Sequence, residues 1–416
     1  MKTVSVTVNV NGRSYNWPTA PLVVICCDGS EPAYMEIAMA AGLMPNLKAM
    51  IAKGENLRGL SVIPSFTNPN NLSIVTGRPP AVHGISGNYL IDPATGAETM
   101  MNDPKWLRAP TIFEAFQKAG ASVAVITAKD KLRLLLGKGL VFDGTAVCFS
   151  SEEADKATQA DNGIENVCAT VGMGVPDVYS AELSEFVFAA GIKLLASMRP
   201  HLMYLSTTDY VQHKYAPGSA GANSFYAMMD KYLGELDVAG AIVVIVADHG
   251  MKDKHRATKE PDVIYLQDVL DRTFGSGKTK VILPITDPYV VHHGALGSFA
   301  TVYAYGPAVS DILTEISRQP GIDVVLNKKN GCARFELPED RLGDIIVISG
   351  GPDATKVIGT SRDRHDLSGL KEPLRSHGGL TEQEIPVIAN RKLKGLKGQL
   401  RNFDAFAIGC NNIVEG

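Results

Sequence analysis

Long apolar runs, an excess of basic charge and any CxxC motif are all missing from this chain, and each absence excludes a class of protein. No stretch of the 416 residues approaches the roughly 18 consecutive apolar residues of a membrane span, so no membrane role is expected. A formal net charge of -4 gives no general attraction to nucleic acid or to an anionic surface. Any anion must therefore be held by a local site, and nucleic acid is not an expected partner. The six cysteines contain no CxxC. Cys26 and Cys27 are neighbours in an apolar strand, where their side chains point to opposite faces, and the rest are dispersed. Reduced thiols and a cytoplasmic location are the expectation. Internal repeats and low-complexity tracts are also lacking. Met1 to Pro18 alternates valine with polar residues, which reads as a short strand pair rather than the apolar core of a secretory leader.

What remains is ordinary globular material, 45% hydrophobic and 20% charged, long enough for a large core and a second lobe. Short β-rich runs recur at Leu22 to Ile25, Val123 to Ile126, Leu202 to Leu205 and Ile242 to Val246. Amphipathic patterns separate them at Met44 to Lys53, Thr111 to Ala119, Ser184 to Ser197 and Ser224 to Leu236. Buried strands alternating with helices predict an α/β fold with a mainly parallel central sheet flanked by helices. From about Ile285 to Ser349 the pattern changes. Strands are expected at Phe299 to Tyr305, Asp323 to Leu326, Ala333 to Leu337 and Ile345 to Ile348, with a helix at Val309 to Arg318. This reads as a small α+β cap lobe at 285–349, inserted into a core made of 1–284 and 350–416.

In a parallel sheet ligands gather at the carboxyl ends of the strands. Asp28, Asp209 and the pair Asp248-His249 each follow one of the apolar runs, so they fall on one edge. Asp209 and His213 have the i, i+4 spacing that puts two side chains on one helix face. His377 stands in Ser376-His377-Gly378-Gly379, a glycine-rich loop. Taken alone, Asp28 also suits a turn cap, and His377 also suits the surface. Thr67 opens a helical stretch after Pro64-Ser65-Phe66, where a hydroxyl meets the positive end of the helix dipole; an N-cap threonine is the competing reading. Seven candidate ligands, Asp28, Thr67, Asp209, His213, Asp248, His249 and His377, suffice for two divalent ions, and carboxylate with imidazole favours zinc. Two Zn ions per chain are expected. A hydroxyl near such ions is a nucleophile in waiting.

Asp28-Gly29, Ser65-Phe66-Thr67-Asn68-Pro69-Asn70, Thr76-Gly77-Arg78-Pro79-Pro80, His83-Gly84-Ile85, Asn88, Asp209 with His213, Asp248-His249-Gly250-Met251 and His377-Gly378 resemble the alkaline phosphatase superfamily in order and spread. The resemblance implies an alkaline-phosphatase-like core. It implies one zinc on Asp209, His213 and His377, the other on Asp28, Thr67, Asp248 and His249, and Thr67 as nucleophile. The wording around Cys27-Asp28-Gly29-Ser30-Glu31-Pro32, Asn88-Tyr89 and Ser376-His377-Gly378-Gly379 is similar to the branch that cleaves carbon–phosphorus bonds. By that likeness the substrate is a small phosphonate, phosphonoacetate, split to acetate and phosphate. Asn88 would contact a phosphonate oxygen, and Lys129 with Lys131 would hold the carboxylate; without the resemblance the lysines read as a solvated turn. No arginine matches the phosphate-gripping residue of alkaline phosphatases proper. Two other readings stay open: a nucleotide pyrophosphatase or phosphodiesterase of the same superfamily, and a non-catalytic metal-binding protein. A homodimer is a candidate assembly.

Overall fold

The computed structural model describes residues 6–287, 294–351, 353–365, 367, 370 and 372–414. Its central sheet has seven strands, in the order Glu55–Leu60, Glu384–Ala389, Ile242–Val246, Leu22–Cys26, Leu202–Ser206, Val123–Thr127 and Ala146–Ser150. The last five pair in parallel, whereas Glu384–Ala389 runs against both of its neighbours. All four apolar runs read from the sequence are strands here, and every residue in them is buried. Continuous burial is what helices on both faces impose on a parallel sheet.

The two-residue period of a strand divides the core between those faces. Val23 and Ile25 point to one layer, packed by the helices Glu182–Ser197, Ala220–Val238, Pro32–Ala40 and Pro45–Lys53. Leu22, Val24 and Cys26 point to the other, under the helices Thr67–Thr76 and Ile112–Lys118 and the aromatic ring of Phe406. Ahead of the sheet, Thr7–Val10 and Arg13–Asn16 form the expected antiparallel pair.

A second, four-stranded antiparallel sheet is ordered Thr279–Ile282, Phe299–Ala304, Ile345–Ser349 and Ile322–Asn327. It takes in Thr279–Ile282, ahead of the lobe start expected at 285, because that segment pairs along Phe299–Ala304 and its Val281 joins the lobe's core. The expected strand at Ala333 to Leu337 is a helix, Lys328–Phe335, and this corrects the sequence reading. Its Gly331, Cys332 and Phe335 share the buried face at helical spacing, and Asn327 caps its start by accepting from the Asn330 amide at 2.9 Å. Ile63 and Phe66 lie in the same apolar cluster as Phe299 and Ile345. The residue just before Thr67 is thus rooted in the lobe, while the helix that Thr67 opens packs on the central sheet.

Candidate active site

Cys26 stands opposite both Val246 and Ser206, and Ser206 stands opposite Thr127. Four neighbouring strands therefore end level, and the residues just past them meet at one edge. Asp28 follows the first strand, Asp209 and Asp248-His249 follow its two neighbours, and Lys129 follows the next. The turn after Asp28 depends on Gly29, whose φ is +68° and where an added Cβ would lie 2.9 Å from the Asp209 Cβ. The Asp28 amide donates to Thr207 Oγ1 at 2.9 Å, which fixes that turn to the adjacent strand end.

Two groups of potential ligands result, Asp209 with His213 and His377, and Asp28 with Asp209 and His249, each with ligand atoms within 4.8 Å of one another. Asp209 thus reaches both groups. His213 Nε2 is 2.9 Å from Asp209 Oδ2, His377 Nε2 is 3.6 Å from the same oxygen, and His249 Nε2 is 3.3 Å from Asp28 Oδ1. Asp248 stands behind, with Oδ2 3.6 Å from His249 Nε2 and Oδ1 accepting the amides of Gly29 and His249. In each histidine Nδ1–H donates to a main-chain carbonyl at 2.8 Å: Arg375 for His213, Gly250 for His249 and Ser65 for His377. A carbonyl only accepts, so the bare Nε2 lone pair is the one turned to the cluster, the arrangement that metal-binding imidazoles adopt.

The electrostatics point the same way. Burial, then Asp209 and Asp248, push the Asp28 carboxyl well above its ordinary range. Burial also opposes ionisation of Asp209, but His213, His377 and His249 override it and hold that group well below its usual value. Burial, with His249 and His213 nearby, keeps His377 neutral far below its ordinary value. Asp28 Oδ1 is buried with no hydrogen-bond partner among the described residues. Crowded carboxylates, imidazoles whose Nε2 faces them and an unsatisfied oxygen are what a cation would complete, so the donor set fits metal ions.

Thr67 is the first helical residue and Phe66 the N-cap, so the Thr67 hydroxyl caps nothing and instead lies 3.4 Å from His249 Nε2. Asn70 staples the approach to it, accepting the Val62 amide at 2.7 Å and donating to the Phe66 carbonyl at 2.9 Å. Asn71, which sequence reasoning did not single out, ties Thr67 and Asp248 to the core. Its amide donates to the Thr67 carbonyl and to Asp248 Oδ2, and its oxygen accepts from the Tyr204 and Ser206 hydroxyls at 2.7 and 2.9 Å.

Asp28, Thr67, Asn88, Lys129, Lys131, Asp209, His213 and His377 line one cavity of roughly 150 Å³, while Asp248 and His249 are buried behind its wall. Asn88 Oδ1 is buried and has no partner among the described residues. The Lys129 ammonium lies 5.8 Å from the centre of the Tyr179 ring, and its charge acts on Asp28. Lys131 Nζ is 3.0 Å from both carboxylate oxygens of Asp287. Asp287, Tyr179, Tyr210 and Asn102 also line the cavity and were not read from the sequence. Beyond His377, a fully buried pair of Lys254 with Glu382 at 2.8 Å secures the loop, since Glu382 also accepts the Gly379 amide. His201 accepts the Ser122 amide at the turn before the strand Leu202–Ser206, and His365 accepts the Thr360 amide outside this cavity. His292 and His293, which the sequence leaves as mere candidates for a substrate entrance, lie outside the described residues.

An α/β sheet edge carrying two adjacent ligand groups and a helix-opening threonine is the framework of a metal-dependent phosphohydrolase. Residues 22–379 match the type I phosphodiesterase / nucleotide pyrophosphatase family, and the chain belongs to it. Within that breadth the chain is similar over its whole length to the phosphonoacetate hydrolase of Sinorhizobium meliloti, solved in complex with phosphonoformate and with phosphonoacetate. Identity is 62%, the TM-score is 0.95, and the match covers 98% of this chain and 99% of that one. A phosphonoacetate hydrolase of Penicillium oxalicum is 60% identical over 30 residues, 7% of this chain and 42% of the relative. A pyrophosphatase/phosphodiesterase of Schizosaccharomyces pombe is 24% identical over 257 residues, 58% of this chain. The chain spans less than half the length of these curated relatives, 47% of the Schizosaccharomyces protein. No helix among the described residues is long and apolar enough to cross a membrane.

Proposed function

We propose that this chain hydrolyses the carbon–phosphorus bond of phosphonoacetate, giving acetate and phosphate. The observation that carries the reading is the cavity lined together by Thr67, Asp28, Asp209, His213, His377, Asn88 and two lysines, with Asp248 and His249 directly behind. In this reading Asp209, His213 and His377 hold one zinc ion and Asp28, Thr67, Asp248 and His249 the other. Bound zinc supplies Lewis-acid polarisation of the phosphoryl oxygens and lowers the pKa of a nearby hydroxyl.

Thr67 Oγ attacks phosphorus from the positive end of its helix. The carbon–phosphorus bond breaks, and its electron pair passes to the departing carbon, where the adjoining carboxylate takes it up as an enediolate. Lys129 and Lys131 stabilise that developing charge. Protonation of the carbon gives acetate. Attack of water on the phosphothreonine then releases phosphate and restores Thr67. Asn88, whose Oδ1 has no hydrogen-bond partner among the described residues, orients the phosphonate by donating from its side-chain N–H. Six free cysteines accord with the cytoplasmic location that belongs to this proposal. A homodimer also belongs to it and is checked by light scattering.

The test is a substrate panel of phosphonoacetate, phosphonopyruvate, phosphomonoesters and phosphodiesters, run with and without chelator. Chelator-sensitive release of equal acetate and phosphate from phosphonoacetate supports the reading. Preference for phosphodiesters would replace it with a nucleotide pyrophosphatase, and metal-dependent stabilisation with no turnover on any substrate would leave a metal-binding protein.

A further inference from the structure

Arg375 is buried, and among the described residues its side chain hydrogen-bonds to none of Thr67, Asn88, Lys129 and Lys131. It begins the two-residue strand Arg375–Ser376, paired with Lys252–Asp253 and leading directly to His377. Its guanidinium is fully engaged. Nε donates to the Gln212 carbonyl at 2.9 Å, Nη2 to the Tyr34 hydroxyl at 3.2 Å and the Met251 carbonyl at 3.4 Å, and Nη1 pairs with Asp253. Its own carbonyl accepts Nδ1–H of His213 at 2.8 Å. One residue therefore grips the His213 segment twice, by its side chain on the carbonyl just before His213 and by its main chain on the imidazole.

That segment needs an external grip. Tyr210–Lys214 is a helix of 5 residues, too short to be stable on its own hydrogen bonds. Tyr34 adds a bond from its hydroxyl to the Tyr215 carbonyl at 2.7 Å, so guanidinium, phenol and helix end form one bracket. The histidine of the other group is held differently: His249 Nδ1 bonds to the Gly250 carbonyl beside it. Among the described residues no hydrogen bond joins Arg375 to Asp28, Asp248 or His249.

We infer that Arg375 is a positioning residue that sets the metal affinity of the Asp209–His213–His377 group while leaving the other group unchanged. The inference rests on the metal-site reading above. Partners that orient a metal-bound histidine typically contribute about 10- to 100-fold in affinity, and here the partner's own anchor is the guanidinium.

The experiment titrates metal-free wild type, Arg375→Lys, Arg375→Met and Tyr34→Phe with zinc against a chromophoric chelator, and records the thermal midpoint of each metal-free protein. Wild type is expected to take up two equivalents. Arg375→Met should bind one equivalent as wild type does and the other about 10- to 100-fold more weakly. Arg375→Lys should do the same to a lesser degree, because an ammonium cannot span the fork of partners. Tyr34→Phe, milder for folding, should weaken the same equivalent by a smaller factor. Cobalt in place of zinc should show altered absorption for one of the two ions only. Wild-type affinity at both sites in every variant overturns the inference. So does equal weakening at both sites in proportion to a drop in the metal-free midpoint, which is a scaffold effect. A wild type that binds no zinc overturns the metal reading and this inference together.

Discussion

The imidazoles of His249 and His377 are stacked, with ring centroids 3.7 Å apart and planes within 6°. Each belongs to a different ligand group, so the stack is the seam between the two. Both present Nε2 to carboxylates from strand ends, His249 to Asp28 and His377 to Asp209. The fold gathers imidazole nitrogens and the carboxylates of Asp28 and Asp209 into one donor set that the unfolded chain does not hold together. Zinc is therefore expected to raise the thermal midpoint. At 100 times the dissociation constant the stabilisation is about 2.7 kcal/mol for each ion, read by calorimetry with and without chelator. Zinc that leaves the midpoint unmoved would remove the metal reading.

Thr67 sits where a nucleophile gains most from the fold, at the start of a ten-residue helix and next to His249. Thr67→Ala should lower kcat for phosphonoacetate by at least roughly 10³-fold, as removal of a covalent nucleophile does. Thr67→Ser should keep a large part of the activity. Acid quench of the wild type during turnover should yield protein heavier by one phosphoryl group, located on Thr67 by peptide mapping. A full-rate alanine variant would rule out the covalent route.

Asn71 separates positioning from folding. Asn71→Asp keeps the acceptor for the Tyr204 and Ser206 hydroxyls but loses the donor to Asp248 and sets two carboxylates side by side. Asn71→Leu loses both sets and takes an acceptor from two buried hydroxyls, at a cost of about 1–3 kcal/mol each. The aspartate variant should thus lose more activity for a given loss of stability than the leucine variant, judged from kcat and from urea unfolding. Activity that tracks stability alike in both would make Asn71 a plain core residue.

How far the sequence discloses this arrangement depends on how local each signal is. Leu22 to Ile25 and Ile242 to Val246 announce buried parallel strands by composition alone, and the ligands that follow them inherit their place from strand direction. Glu55–Leu60 gives no such signal, because an edge strand alternates polar and apolar residues and pairs on one side only. Ala333 to Leu337 alternates as a strand does, yet Phe335 completes a helical face with Gly331 and Cys332. Asn71, Asp287 and Arg375 acquire their roles from partners 177, 156 and 163 residues away, so no local pattern distinguishes them from turn or surface residues.

The two lysines are unequal. Lys131 already faces the Asp287 carboxylate, whereas Lys129 packs over Tyr179 and acts on Asp28. An incoming substrate carboxylate therefore meets a larger uncompensated charge at Lys129. Lys129→Ala should weaken inhibition by phosphonoformate about 10- to 100-fold, the range of a charge-assisted hydrogen bond, with a smaller effect on inhibition by inorganic phosphate. Lys131→Ala should follow the same pattern with a smaller loss. Equal losses toward both inhibitors would mean that the lysines bind the phosphoryl end.

His83 ties stability to pH from outside the catalytic cavity. Its ring is fully buried, with Nδ1 accepting the Ile85 amide at 3.2 Å and Nε2 2.9 Å from Ser73 Oγ. A second ring proton would be forced against the Ile85 N–H. Burial, then the Arg341 guanidinium, push its pKa down from 6.5 to about 3. The unfolded chain binds this proton more readily than the folded one. The contribution to stability is therefore complete above 6.5 and is lost as pH falls toward about 3. By about pH 4.5 the loss amounts to roughly 2–3 kcal/mol. His83→Gln cannot titrate, so it should be less stable than wild type at pH 7 but lose less stability on acidification. Urea unfolding of both proteins at the two pH values measures the difference, and parallel losses would show that the acid sensitivity arises from the carboxylates instead.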